Sequence, residues 1–104
     1  MAFATSASAS QICAFDQECL EGENCAETTY EVSLAETDDA AWTLSDITGD
    51  RPATAMGQTW FAPTGDGTDG GLMLTIGPDG MARMSVHMIG AGLSILYLGQ
   101  CSSG

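Results

Sequence analysis

Lysine is absent from this 104-residue chain, which sets only two arginines and one histidine against fourteen aspartates and glutamates, for a formal charge of −12. A surface of that sign repels phosphate backbones and anionic lipid headgroups, so nucleic acid is not an expected partner. Basic protein surfaces and divalent cations are what it attracts. No apolar run reaches the about 20 residues that a membrane-spanning helix needs, and no stretch sustains the 3.6-residue period of an amphipathic helix. The tight C-x2-C knuckle of a zinc site is missing, as is the glycine-bounded serine of a hydrolase elbow. These gaps lead us to expect no metal, no cofactor and no enzymatic activity.

What the chain does have is a segment from Gly71 to Cys101 that reads as a three-stranded antiparallel meander. Leu72, Leu74 and Ile76 alternate with Met73 and Thr75, then Ala82, Met84, Val86 and Met88 with Arg83, Ser85 and His87, the period of half-buried strands. Between them Gly77-Pro78-Asp79-Gly80 carries a proline that pre-sets a type I turn and a glycine for the left-handed position after it. A three-residue loop with Gly80 as a G1 bulge puts Leu74 opposite Met84, Leu72 opposite Val86 and Ile76 opposite Ala82. A slip by one residue would mix the faces. For the second turn, a two-residue Gly90-Ala91 loop of type II′ places Met88 opposite Leu93, Val86 opposite Ile95 and Met84 opposite Tyr97. Cys101 falls in phase with that inward set.

Upstream, Gln11–Phe15 suggests a short first strand, followed by an acidic, turn-rich loop from Asp16 to Cys25. Thr28–Ala35 alternates as a strand. Ala40–Ile47 suggests another, Thr48–Pro52 a turn, Thr54–Ala62 a further strand and Pro63–Gly71 a glycine-rich loop. The sum is an all-β domain over 11–104 of about seven short strands, either an antiparallel meander barrel or a two-layer sandwich. We favour the barrel, closed by contact of the first and last strands, which removes exposed edges.

Four cysteines in so short a chain point to an oxidising compartment and a disulfide framework. Ala2-Phe3-Ala4 followed by small polar residues reads as the end of an export signal, so residues 1–10 are expected to be a mobile tail and the protein periplasmic or secreted. Four cysteines allow three connectivities. We expect Cys13 with Cys101 and Cys19 with Cys25; the rival Cys13–Cys19 with Cys25–Cys101 gives the same closure.

Several patterns carry candidate chemistry. Asp66-Gly67-Thr68-Asp69-Gly70 resembles a calcium loop in its carboxylates and glycines, but the twelfth residue is Gly77 rather than the closing glutamate, and an ordinary turn is expected. His87 could serve Ser85 or Ser94 as a base, yet alternate residues on one strand face outward together without forming a triad. Met84 and Met88 share the core phase, so packing is expected before copper capture. The eleven carboxylates of residues 1–50 meet no base at all, while residues 51–104 are nearly neutral. That asymmetry makes Asp16, Glu18, Glu21, Glu23 and Glu27 the candidate docking residues; Trp42, Trp60 and Phe61 are expected in the core, with Trp60 and Phe61 as an aromatic anchor only should they be exposed.

The spaced Cys13, Cys19 and Cys25 with the closing Tyr97-Leu98-Gly99-Gln100-Cys101 resemble small exported bacterial proteins of uncharacterised function. More loosely, a small barrel whose end strands are disulfide-linked is similar to the periplasmic inhibitors of c-type lysozyme. That resemblance implies an acidic binder of a basic enzyme, although the serine-and-base loop of those inhibitors has no counterpart in this chain. The expectation is a non-catalytic binding module for a basic protein. The alternative is an accessory subunit of a larger envelope or membrane-associated assembly, held by strand edges or an apolar patch.

Overall fold

A computed structural model describes residues 10–37, 41–64 and 70–103. Eight strands follow one another as β1 (Ser10–Leu20), β2 (Cys25–Glu36), β3 (Trp42–Asp46), β4 (Gly49–Met56), β5 (Thr59–Pro63), β6 (Gly70–Ile76), β7 (Met81–Met88) and β8 (Leu93–Ser103). Each pairs antiparallel with the next, and β8 returns to β1, so the sheet closes into an up-and-down barrel. The two-layer alternative is thereby excluded.

Side-chain alternation builds the interior. Cys13, Phe15, Val32, Leu34, Leu44, Leu74 and Met84 are all at most 1% exposed, and Trp60, Ala62, Leu72, Ile76 and Ala82 pack around them. Burial of each large member contributes about 1.5–3 kcal/mol, which is the main force closing the sheet. The meander register is as expected at all six pairs, from Leu72 opposite Val86 through Met84 opposite Tyr97. Gly80 takes a φ of 87° while Gly77 N–H donates to the Met81 carbonyl at 2.8 Å, the three-residue loop with its bulge.

The second turn differs from expectation although its register does not. The left-handed residue is Gly92, with a φ of 66°, not Gly90. Gly92 N–H reaches back to the Met88 carbonyl at 2.9 Å, so the loop has four residues, Ile89 to Gly92. Two- and four-residue loops leave the same pairs in register, so alternation alone could not tell them apart.

Three upstream assignments are corrected. The presumed loop after Phe15 is strand: β1 runs on to Leu20, β2 starts at Cys25, and only residues 21–24 turn. A β-bulge between Phe15 and Gln17 shifts the phase of β1, which puts Glu18 and Leu20 on the inward side and hides the alternation from a sequence reading. The turn expected over Thr48–Pro52 is confined to Ile47–Thr48, and Pro52 lies in β4 opposite Thr43. Pairing of β4 with β5 begins only at Thr54, so Pro52 stands outside that ladder, where a residue lacking N–H is tolerated. Finally, Thr54–Ala62 is two strands separated by Gly57-Gln58, which raises the count from seven to eight.

Both disulfides join the expected partners. Cys13–Cys101 spans 88 residues and bridges directly opposed positions on β1 and β8, inside the barrel at its closing seam. Cys19–Cys25 spans 6 and faces outward, linking opposed residues of the β1–β2 hairpin rather than bracing a loop. Such bonds accord with an oxidising, extracytoplasmic environment. Close to the seam lies Gly99, opposite Phe15: a Cβ there would stand 2.0 Å from the Ala14 carbonyl oxygen. Ser10 already belongs to β1; the remaining residues of the expected tail lie outside the described ones.

Candidate acidic docking site

The β1–β2 hairpin and its turn carry seven carboxylates, Asp16, Glu18, Glu21, Glu23, Glu27, Glu31 and Glu36, and no basic residue. Strand phase sorts them. Asp16, Glu27 and Glu31 face outward and are exposed, and Glu23 is exposed at the turn. Among the described residues none of these four side chains has a recorded hydrogen bond or ion pair. Beside the bulge at Asp16, a groove of about 670 Å³ lies on this wall. Asp16 and Glu31 border it, and Leu98, Met81 and the backbone of Gly99 contribute apolar surface. Charge and shape therefore meet at one place. Glu31 was not among the candidates read from the sequence, although its alternation with Tyr30 and Val32 was the signal that could have found it.

Two of the candidate carboxylates have structural partners instead. Glu18 turns inward after the bulge and accepts a hydrogen bond from the Tyr97 hydroxyl at 3.1 Å. Glu21 accepts from the Ser94 N–H at 3.1 Å and from its hydroxyl at 3.3 Å, tying the tips of two hairpins together. Trp60 is a correction: it is 6% exposed and stacks edge-on against Trp42 at 5.2 Å inside the barrel, so it cannot anchor a partner. Its Nε1 has no hydrogen-bond partner among the described residues. Phe61 is 40% exposed but stands on β5, four strands from β1 in a ring of eight, and thus on the opposite wall. The expected aromatic anchor and acidic cluster do not form one site.

A second polar group seals the barrel near the short turn of β3 and β4. Asp46 accepts hydrogen bonds from the Tyr30 hydroxyl, the Thr48 hydroxyl and the Thr48 N–H, and pairs with Arg51 at 3.5 Å. Burial alone would raise the carboxyl pKa, but the bonds from Thr48 and Tyr30 and the Arg51 charge outweigh it and hold it below the usual range. Burial, then the bond to Asp46, pushes the Tyr30 phenol well up. The same two causes, with Glu18 as the acceptor, push Tyr97 up to about 12. The rings of Tyr30 and Tyr97 lie 4.8 Å apart and both pack on Phe15, so this network caps the core.

His87 faces outward opposite Ser94, and Glu21 lies on the same serine. In a catalytic triad the histidine holds the serine and the carboxylate holds the histidine. Here the carboxylate holds the serine directly, and no His87 hydrogen bond is recorded among the described residues. Those residues also contain no group of three metal-ligating side chains. Of the Asp66–Gly70 calcium reading, residues 66–69 lie outside the described ones and Gly70 opens β6. No helix among the described residues is long and apolar enough to cross a membrane. Comparison with protein-family models, with curated proteins and with solved structures finds no match.

Proposed function

We propose that this protein is a periplasmic or secreted, non-catalytic binding module that docks a basic protein partner on the outer wall of its β1–β2 hairpin. The supporting observation is the set of exposed carboxylates Asp16, Glu23, Glu27 and Glu31 gathered on one hairpin, without a hydrogen bond or ion pair among the described residues, beside a groove that Asp16 and Glu31 border. Unpaired carboxylates on a rigid, crosslinked ribbon keep the field pointing outward without costing the fold a desolvated charge. The groove adds the shape and apolar contact that long-range attraction cannot supply.

Such a site steers association and fades with ionic strength. The test is capture of cationic proteins from an extracytoplasmic extract at low salt, with a c-type lysozyme as a defined probe, followed by calorimetry on what is retained. A one-to-one complex is expected that weakens roughly tenfold or more between about 20 mM and about 300 mM NaCl. It is expected to be lost in the triple variant Asp16→Asn, Glu27→Gln, Glu31→Gln. Retention of no cationic protein, or retention indifferent to both salt and the triple variant, would overturn the assignment.

A further inference from the structure

Strand lengths do not match around the ring, and one ladder stops early. β2 has 12 residues and β3 has 5, and the two pair only from Ser33 with Ser45 to Glu36 with Trp42. β3 then turns back at Ile47, while the β1–β2 hairpin runs on to its tip, with β8 paired along the far side of β1 as far as Leu20. Among the described residues, no strand pairs with the outer edge of β2 from Cys25 to Val32. The closed ring thus keeps one stretch of open edge.

Backbone phase identifies the groups this edge presents. Cys101 donates its N–H to the Gly80 carbonyl at 2.8 Å, on the β7 side, so it is not hydrogen-bonded to Cys13 opposite. Cys13 therefore turns its N–H and C=O towards Val32. By alternation Val32 and Tyr30 bond to β1, while Glu31, Thr29, Glu27 and Cys25 turn their backbone groups away from it. The Cys19–Cys25 pair agrees, since its Cα atoms are 4.0 Å apart, the close spacing of a non-hydrogen-bonded pair. The same odd-numbered residues carry exposed side chains. Beside the edge lies a groove of about 440 Å³, lined by Thr29 to Ser33 of β2 and by Ser45, Asp46 and the 94% exposed Ile47.

We propose that an extended segment of the basic partner completes this edge, pairing antiparallel with Cys25–Thr29 in line with β3 and beyond Ile47. An open edge is a template for any strand, so its side chains decide which one it takes. Glu23, Glu27 and Glu31 stand four residues apart along it, the first at the turn and the others facing outward. They repel an acidic strand, including this chain's own. A segment with lysine or arginine at alternate positions sets each base opposite or diagonal to a carboxylate, about 5 Å or about 7–8 Å away at Cβ and within reach of a long side chain. Over about 14 Å of strand, Cys25, Glu27 and Thr29 supply a backbone donor and an acceptor each. Main-chain bonds give the affinity and the alternating carboxylates the selectivity. This inference rests on the docking function proposed above and names the part of the partner that is recognised.

The probe is a short synthetic peptide of alternating lysine and threonine, added to the intact chain in about 20 mM NaCl, with amide hydrogen exchange followed by NMR. In the free protein the Glu27 and Thr29 amides are expected to exchange fast, and those of Tyr30 and Val32, bonded to β1, slowly. Saturating peptide is expected to slow Glu27 and Thr29 about tenfold or more and to leave Val32 within about twofold. Two further peptides keep the charge but carry N-methyl groups on alternate amides. Methylation of the lysine amides, which face β2 in this register, is expected to abolish binding, and methylation of the threonine amides to leave it within about threefold. Thr29→Pro removes an edge donor without breaking a bond to β1 and is expected to weaken the peptide about tenfold, circular dichroism confirming the barrel. A peptide that does not bind, that binds without protecting Glu27 and Thr29, or that binds equally in both methylated forms overturns strand pairing. The docking function survives that result if cationic proteins are still captured at low salt and lost in the triple variant. Capture of none, with the peptide bound and both amides protected, would instead refute the docking function and leave the edge as a strand acceptor.

Discussion

Removing the seam disulfide should cost about twice as much stability as removing the hairpin disulfide. Replacing Cys13 and Cys101 by alanine frees a loop of 88 residues in the unfolded chain, and replacing Cys19 and Cys25 frees one of 6. The chain-entropy relation gives about 4.6 kcal/mol for the first and about 2.2 kcal/mol for the second at room temperature. Packing adds to the difference, because Cys13 is fully buried whereas Cys25 is exposed, so only the first pair leaves a void behind. Urea unfolding followed by Trp42 and Trp60 fluorescence reads both variants against the parent. With an m-value of about 1.5 kcal/mol/M, the seam variant should unfold about 1.5 M earlier than the hairpin variant. In thermal melts the gap should be roughly 10–15 °C. Equal losses, or a larger loss for the hairpin pair, would show that the barrel closes without help from its seam and would refute the reasoning.

The seam should also be intolerant of bulk. Gly99→Ala brings a methyl group against the Ala14 carbonyl and the Phe15 backbone and is expected to cost about 2–3 kcal/mol, whereas Gly90→Ala, where a Cβ meets nothing within 4 Å, should stay within about 0.5 kcal/mol of the parent in the same urea assay. The Asp46 pKa is lowered on folding, so its contribution is present at neutral pH and is lost as pH falls below about 4; Asp46→Asn should therefore narrow the difference in stability between neutral and acid solution. Tyr30 and Tyr97 move the other way. Their raised values stabilise the fold below about pH 10, and that stabilisation is lost as pH rises towards about 12, so a Tyr30→Phe, Tyr97→Phe double variant should flatten the alkaline decline.

Period-two alternation carries strand identity wherever the pleat is regular, and that is why the register of the meander from Leu72 to Tyr97 is legible in the sequence. The two turns there select the same inward face, and Gly77-Pro78-Asp79-Gly80 declares its own geometry. Charge asymmetry is likewise a property of composition, so the acidic first half needed no fold to be seen. A closed barrel asks only for a bond between the terminal segments, which both Cys13–Cys101 and Cys25–Cys101 would supply, and the register of β1 on β8 is what sets Cys13 opposite Cys101.

Tertiary structure decided the rest, because it depends on which strand lies beside which and on where the pleat breaks. The bulge after Phe15 inverts the phase of β1, which sends Glu18 to Tyr97 in the interior and leaves Asp16 outside at the rim of a groove. Trp60 and Phe61 are neighbours in the chain, yet the pleat buries one against Trp42 and exposes the other. Ring closure then sets Phe61 across the barrel from the carboxylates with which it had been grouped. Amino-acid order establishes that this chain forms ribbons, that it is acid on one side and that its ends can be tied. Which acids face outward, and that Phe61 and Met73 stand across the ring from them, emerges only when eight ribbons close on one core.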